Sequence, residues 1–206
     1  MRRTKAAALE TRAKILGSAL DSFSEKSFAN ASLTKIAANV GLTKGALYWH
    51  FRNKNDLLLR LIEEICHRKE DETKGILDEP CSAEKLKLFY MTQLSQMMND
   101  STTQKVHRIM MKRDEWPEDI QDNVTQILKD SFDREKNMVE EYIRKGVESG
   151  QFSKGVSPEG LAVLLSGVFH GLCAMHLIGL LPKDLPQYID ILFNALNRDL
   201  CANEQS

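Results

Sequence analysis

Between Leu42 and Leu57 the chain reads LTKGALYWHFRNKNDL, with Tyr48, Trp49 and His50 side by side between lysines. A phenol hydroxyl, an indole N–H and an imidazole can each hydrogen-bond a phosphate oxygen while their rings pack on sugar. Lys44 and Lys54 bracket them with cations, and Thr34, Lys35 and Thr43 add short polar groups that can read or clamp base edges. Gly45 and Ala46 lack bulk, so the backbone there can approach a base closely. These types point to a grip on double-stranded nucleic acid. Trp49 has a second reading, as a half-buried packing residue.

Helical spacing explains how such a set shares one face. Leu9, Ile15, Leu16, Ala19, Leu20 and Phe23 recur with a helical period and predict a first amphipathic helix ending near 24–26, followed by a short loop. Ser32 stands as N-cap before Leu33, Ile36, Ala37 and Val40, a second helix of barely two turns stopped at Gly41. Thr43 caps a third helix over 44–51, with Ala46, Leu47 and Phe51 inward and Lys44, Tyr48, Trp49 and His50 outward. Asn53 caps a fourth, Asp56 reaching back from its third position. Lys54, at that helix's positive end, is expected to be a second phosphate grip. Two short helices joined by a turn containing glycine make a helix-turn-helix, with Ala37 small at the crossing and Gly41 free to take a positive φ.

The formal net charge of -1 hides an asymmetry. Through Arg60 there are 11 Lys and Arg against 4 Asp and Glu, or +7; beyond it 17 stand against 25, or -8. A basic front joined to an acidic rear suits a module that meets a polyanion and one that does not, although charge alone also fits a solvated basic surface. The 206 residues, 42% hydrophobic and 28% charged, suffice for one large domain or a small one joined to a larger one. Abundant Ala, Leu, Lys, Glu and Met with few β-branched runs predict an all-α chain. The basic opening leads into an amphipathic pattern instead of an apolar signal core, so no export signal is expected and the expected location is cytoplasmic. Cys66, Cys81, Cys173 and Cys201 stand far apart without CxxC pairing, which predicts reduced thiols and no zinc site. No glycine-rich phosphate loop, HExxH or GxSxG occurs, and His170 and His176 lie on different helix faces. Neither enzymatic activity, metal nor cofactor is expected; a thiol switch at Cys66 or Cys173 is the remaining redox reading.

The segments TRAKILGSALDSF and SLTKIAANVGLTKGALYWHFRNKNDLL, with the basic leader RRTK, resemble the N-terminal domain of the TetR family of bacterial repressors, in the AcrR-like branch associated with multidrug efflux pumps. The resemblance spans roughly the first sixty residues. It implies a homodimer of all-helical subunits, each with a three-helix DNA-binding head at 1–55, its helix-turn-helix at about 33–52, and a ligand-binding and dimerisation body at 56–206. It also implies a double-stranded DNA operator and release by a small hydrophobic inducer. By the same resemblance the DNA contacts fall on Thr34, Lys35, Thr43, Lys44, Gly45, Tyr48, Trp49, His50 and Lys54. Beyond the head the resemblance is architectural only.

The rear part reads as further amphipathic helices. The fourth helix continues through Cys66 towards Glu72, and a break follows at 75–82 around Pro80. Met97, Met110 and Met111 interleave with His107, Trp116 and Phe132, types that suit a permissive apolar pocket together with Phe169, although ordinary core packing explains them as well. Asp114 and Glu115 either meet a cationic ligand or form a solvated face. Residues 161–181 carry no Asp, Glu, Lys or Arg and are long enough to cross a bilayer at about 1.5 Å per residue. Ser157 and Pro158 open that segment as a helix, and Asp184 is placed to cap the next, whose stripe runs Ile189, Leu192, Phe193, Leu196, Leu200. The pair is expected to close with a twofold copy through Leu164, Val168, Gly171, Leu172, Met175, Ile189, Leu192, Phe193 and Leu196, with no membrane involved. One specific metabolite acting on genes other than efflux genes stays open as the alternative signal.

Overall fold

The computed structural model describes residues 5–181 and 184–200, with side chains through 196. Among these the chain is all-α: α1 (Lys5–Asn30), α2 (Leu33–Asn39), α3 (Lys44–Tyr48), α4 (Lys54–Thr73), α5 (Ala83–Asn99), α6 (Ser101–Met110), a 3-10 turn (Arg113–Glu115), α7 (Glu118–Glu148), α8 (Pro158–Leu177) and α9 (Pro186–Leu200). Short polar side chains fix the starts of α3, α4, α5 and α8. Thr43 Oγ1 accepts the Ala46 N–H at 3.2 Å, Asn53 Oδ1 that of Asp56 at 2.8 Å, Ser82 Oγ that of Lys85 at 3.2 Å and Ser157 Oγ that of Gly160 at 3.2 Å. Each cap contributes about 1 kcal/mol by satisfying a donor the helix itself leaves open. Asp56 reaches back as expected, but its Oδ2 takes the Arg52 N–H (2.9 Å), one residue before the cap.

Three boundaries and one cap depart from the sequence-based expectation. Helix α1 runs on to Asn30 across a break at Ser27 (φ 67, ψ 163), so 28–30 form a helical turn that carries Phe28 into the core. Ser32 sits at the N-cap of α2 in extended backbone, yet its hydroxyl makes no capping bond. Helix α3 stops at Tyr48; Trp49 and His50 form a closing turn, and Phe51 stays anchored by its amide on the Leu47 carbonyl at 3.0 Å. Helix α9 opens at Pro186, two residues beyond Asp184, where proline's missing N–H has nothing to lose.

The chain forms two compact units. The first joins the chain up to His67 with Ser101–Lys129; the second joins Arg68–Asp100 with the chain from Asp130 on. In the first, Ile15, Ala19, Phe23 and Phe28 of α1 pack with Ile36 and Ala37 of α2, Leu47, Phe51, and Leu57 and Leu58 of α4, all buried. Helix α6 lies against α1, tied by Lys105 to Asp21 at 2.6 Å, and Trp116 meets the Phe28 ring edge-on at 6.2 Å. This unit is therefore larger than the segment 1–55. In the second, Phe89 and Tyr90 of α5, Tyr142 and Ile143 of α7, Leu165 and Phe169 of α8, and Ile189 and Phe193 of α9 form one core. Gly146 lies so close under the Phe152 ring that a Cβ would stand 2.1 Å from it.

Candidate nucleic-acid interface

The recognition surface is built on α2, the Gly41 turn and α3. The buried Ser18 hydroxyl donates to the Ile36 carbonyl (3.0 Å) and accepts from Asn39 Nδ2 (3.3 Å), fastening α2 to α1. Sequence reasoning missed this tie; its one signal was a serine inside an apolar stripe. Gly41 turns the chain with φ 71 while the Leu42 amide returns to the Ala37 carbonyl at 2.9 Å. Fully buried Leu47 seats α3, and Phe51 closes beneath it with the Arg12 guanidinium 4.9 Å above its ring.

With that inner face fixed, the outer face carries Thr34, Lys35, Thr43, Lys44, Gly45, Tyr48 and Trp49, all exposed. Trp49 is 90% exposed, which rejects the half-buried packing reading. The Lys44 ammonium stands 5.8 Å over the Tyr48 ring, and half-buried His50 lies 6.4 Å from Phe51. A Cβ at Gly45 would meet only Thr43 Oγ1, at 3.8 Å, and its φ is not positive. Nothing inside the fold asks for glycine there, although glycine within a helix costs about 1 kcal/mol against alanine. Lys54 does not join this face. Its Nζ donates to the carbonyls of Ala29 (3.0 Å) and Ala31 (3.4 Å) and lies 4.8 Å over the Phe28 ring, and burial lowers its pKa from the usual lysine value.

Of the seven residues expected to line a ligand pocket, His107, Met110, Met111 and Trp116 lie in the first unit and Met97, Phe132 and Phe169 in the second. Trp116 is core of the first unit, Met110 packs against that core, His107 is half-buried and Met111 exposed. Met97, Phe132 and Phe169 belong to the second unit, with Phe169 5.3 Å from Tyr90 and Phe132 5.6 Å from His170. Two open clefts on the second unit, of about 460 and 380 Å³, lie around Glu79 and Lys145 and include none of the seven. Asp114 and Glu115 are exposed on the 3-10 turn.

Helix α8 is long and apolar enough to cross a membrane by length and composition. Its inner face lies in the second core; its outer face exposes Val163, Leu164, Val168, Met175 and Ile178 around Gly167 and Gly171. Of the expected interface set, Leu164, Val168, Gly171 and Met175 are on that outer face, and Leu172, Leu192 and Leu196 are half-buried. Ile189 and Phe193 are corrected: both are buried, because that stripe of α9 packs inward, Phe193 lying 6.3 Å from Tyr90. Leu200 of the same stripe, like Cys201, lies outside the described side chains. Burial pushes the Cys173 thiol up to about 12, so it is protonated at neutral pH and a poor redox nucleophile.

Residues 15–61 match the model of the bacterial regulatory proteins of the tetR family. The chain is 27% identical over 195 residues to the HTH-type transcriptional regulator TtgR of Pseudomonas putida, covering 93% of this chain and 89% of that one. Over 62 residues it is 47% identical to the HTH-type transcriptional regulator AcrR of Shigella flexneri, covering 30% of this chain and 29% of that one. The fold matches a triclosan complex of SmeT with a TM-score of 0.78 at 22% identity, covering 95% and 93% of the two chains. SmeT is described as the repressor of the Stenotrophomonas maltophilia multidrug efflux pump SmeDEF. Residues 15–61 thus carry a helix-turn-helix of the tetR family, and over nearly its whole length the chain is similar to HTH-type transcriptional regulators.

Proposed function

We propose that the chain represses a multidrug efflux operon as a homodimer, bound to a palindromic operator and released by a hydrophobic small molecule. The observation that carries the DNA reading is the solvent-facing set Lys44, Gly45 and Tyr48 on α3 with Trp49 in its closing turn, on a helix whose opposite side is locked into the core. Thr34, Lys35, Thr43 and Lys44 read or clamp base edges, Gly45 lets the backbone approach them, and Tyr48, Trp49 and His50 hold phosphate and sugar. Lys54, turned inward, acts through the end of α1 that it holds. The dimer reading rests on α8. A Cβ at Gly167 or Gly171 would meet nothing within 4 Å, so the bare backbone of that apolar face suits the close approach of a second copy's helix. Efflux control is carried over from relatives such as SmeT.

In the dimer, two recognition helices enter successive major grooves about 34–36 Å apart. Helices α4 and α7 each begin in the first unit and end in the second, so a ligand held in the body can act on the head through α4 and spoil that spacing. The test is fluorescence anisotropy of the protein on DNA upstream of its own gene, with a panel of unrelated amphipathic drugs and dyes. Competitor-resistant binding undone by several compounds is expected. Release by one compound alone favours the single-metabolite signal, and absence of specific binding contradicts the assignment of the operator.

A further inference from the structure

Among the described residues of the first unit, the half-buried lysines and arginines other than Arg12 each meet an oxygen. Lys54 donates to the Ala29 carbonyl at 3.0 Å, Arg60 pairs with Glu63 at 2.7 Å and Lys105 with Asp21 at 2.6 Å. Arg12 on α1 has no hydrogen bond or ion pair among those residues, and Glu10, the acid nearest to it in sequence, is taken by Lys14 at 2.7 Å. Its one partner is the Phe51 ring, 4.9 Å from the guanidinium carbon. A guanidinium held half out of water without a counter-charge is costly, and a ring beneath it offsets that only in part.

The position of that ring says what the charge is for. Phe51 is buried and directly follows the turn that closes α3, where Trp49 is almost fully exposed. Arg12 roofs the ring, so its remaining surface meets solvent at the end of the recognition surface. Stacking holds the planar fork in place while its in-plane N–H donors stay free, the arrangement that suits a phosphate. Lys5, seven residues earlier and so on the same face of α1, is exposed, and Ala8 between them is small. The first turns of α1 thus offer a strand of DNA cations and little bulk.

We infer that Arg12 is a phosphate contact: α1 grips the DNA backbone beside the groove that α3 enters, and the polyanion supplies the counter-charge the fold withholds. This rests on the reading of the chain as a DNA-binding repressor. The full-length parent and its Arg12→Met, Arg12→Lys and Lys14→Met variants are titrated by anisotropy across a salt series, and each is melted. Two duplexes of equal length are used, one from upstream of the protein's own gene and one unrelated. Methionine keeps an apolar stem over the ring and removes the charge. Lys14 is the control, two residues on, on another face of α1 and already paired. Expected for Arg12→Met on both duplexes are a salt slope smaller by about one per bound protomer and an affinity loss of about fivefold per protomer at about 0.15 M salt. Its melting temperature should lie within about 3 °C of the parent's. Arg12→Lys should keep the slope, and Lys14→Met should leave it unchanged. An unchanged slope in Arg12→Met, or an equal fall in Lys14→Met, overturns the contact, while the repressor reading stands on the parent's own operator binding. Weaker binding at unchanged slope with a clearly lower melting temperature assigns Arg12 to holding the recognition turn and also overturns the contact. If the parent binds both duplexes alike and Arg12→Met lowers the slope, the contact stands and the operator assignment falls; if the parent binds neither, both fall.

Discussion

Gly45 is the residue whose identity the fold explains least and DNA binding explains best. Gly45→Ala should melt slightly higher, by about 0.5–1 kcal/mol of stability, and bind operator more weakly; thermal melts and anisotropy on one preparation read both. Trp49→Ala should leave the melting temperature unchanged, because the ring buries almost nothing, while weakening specific and nonspecific DNA binding by similar factors. Lys54→Ala should lower the melting temperature and leave the salt slope of DNA binding unchanged; a slope smaller by about one would place its ammonium on a phosphate instead. The outward residues were legible because helical spacing around Leu47 leaves them only one direction. Lys54 was not legible, because its carbonyl partners are 23 and 25 residues away and no local pattern announces them.

At the scale of elements, capping chemistry located the starts of α3, α4 and α8, where Thr43, Asn53 and Ser157 each accept from an amide three residues on. Asn53→Ala should cost about 1 kcal/mol in a denaturant melt and weaken operator binding further, because α4 follows directly on the recognition turn. Gly146→Ala tests packing between α7 and the segment after it. With Phe152 fully buried and its ring where the new methyl must go, a loss of about 1–3 kcal/mol is expected, without change in DNA contacts per folded molecule. The first helix was harder to read. Ser27 holds a backbone conformation that serine rarely adopts, and it is Phe28 packing beside Phe23 and Trp116 that the turn accommodates, a tertiary demand invisible to periodicity.

For the whole molecule, a hydrophobic period reveals a stripe but not what covers it. Helix α8 kept its expected outward face, whereas Ile189 and Phe193 of α9 turned inward because α5 was there to receive them. The expected pocket residues fall in both units for a related reason: α6 and the start of α7 belong with the head's unit, and Trp116 packs in that unit's core. Leu164→Lys should yield a monomer by sedimentation and abolish operator binding without unfolding the protein. Glu135 gives the body a pH signature. Its folded pKa is raised, so the folded state keeps a proton that the unfolded state has lost, and stability falls as pH rises above the ordinary carboxylate range; Glu135→Gln should remove that fall in melts taken across pH. The central claim is that DNA and inducer bind opposed states of one molecule, and linkage makes it measurable. The most direct test titrates one releasing compound into the free protein and into the protein saturated with operator. The account predicts tighter binding to the free form, by the same factor by which the compound weakens DNA binding; equal affinities for the two forms would contradict it.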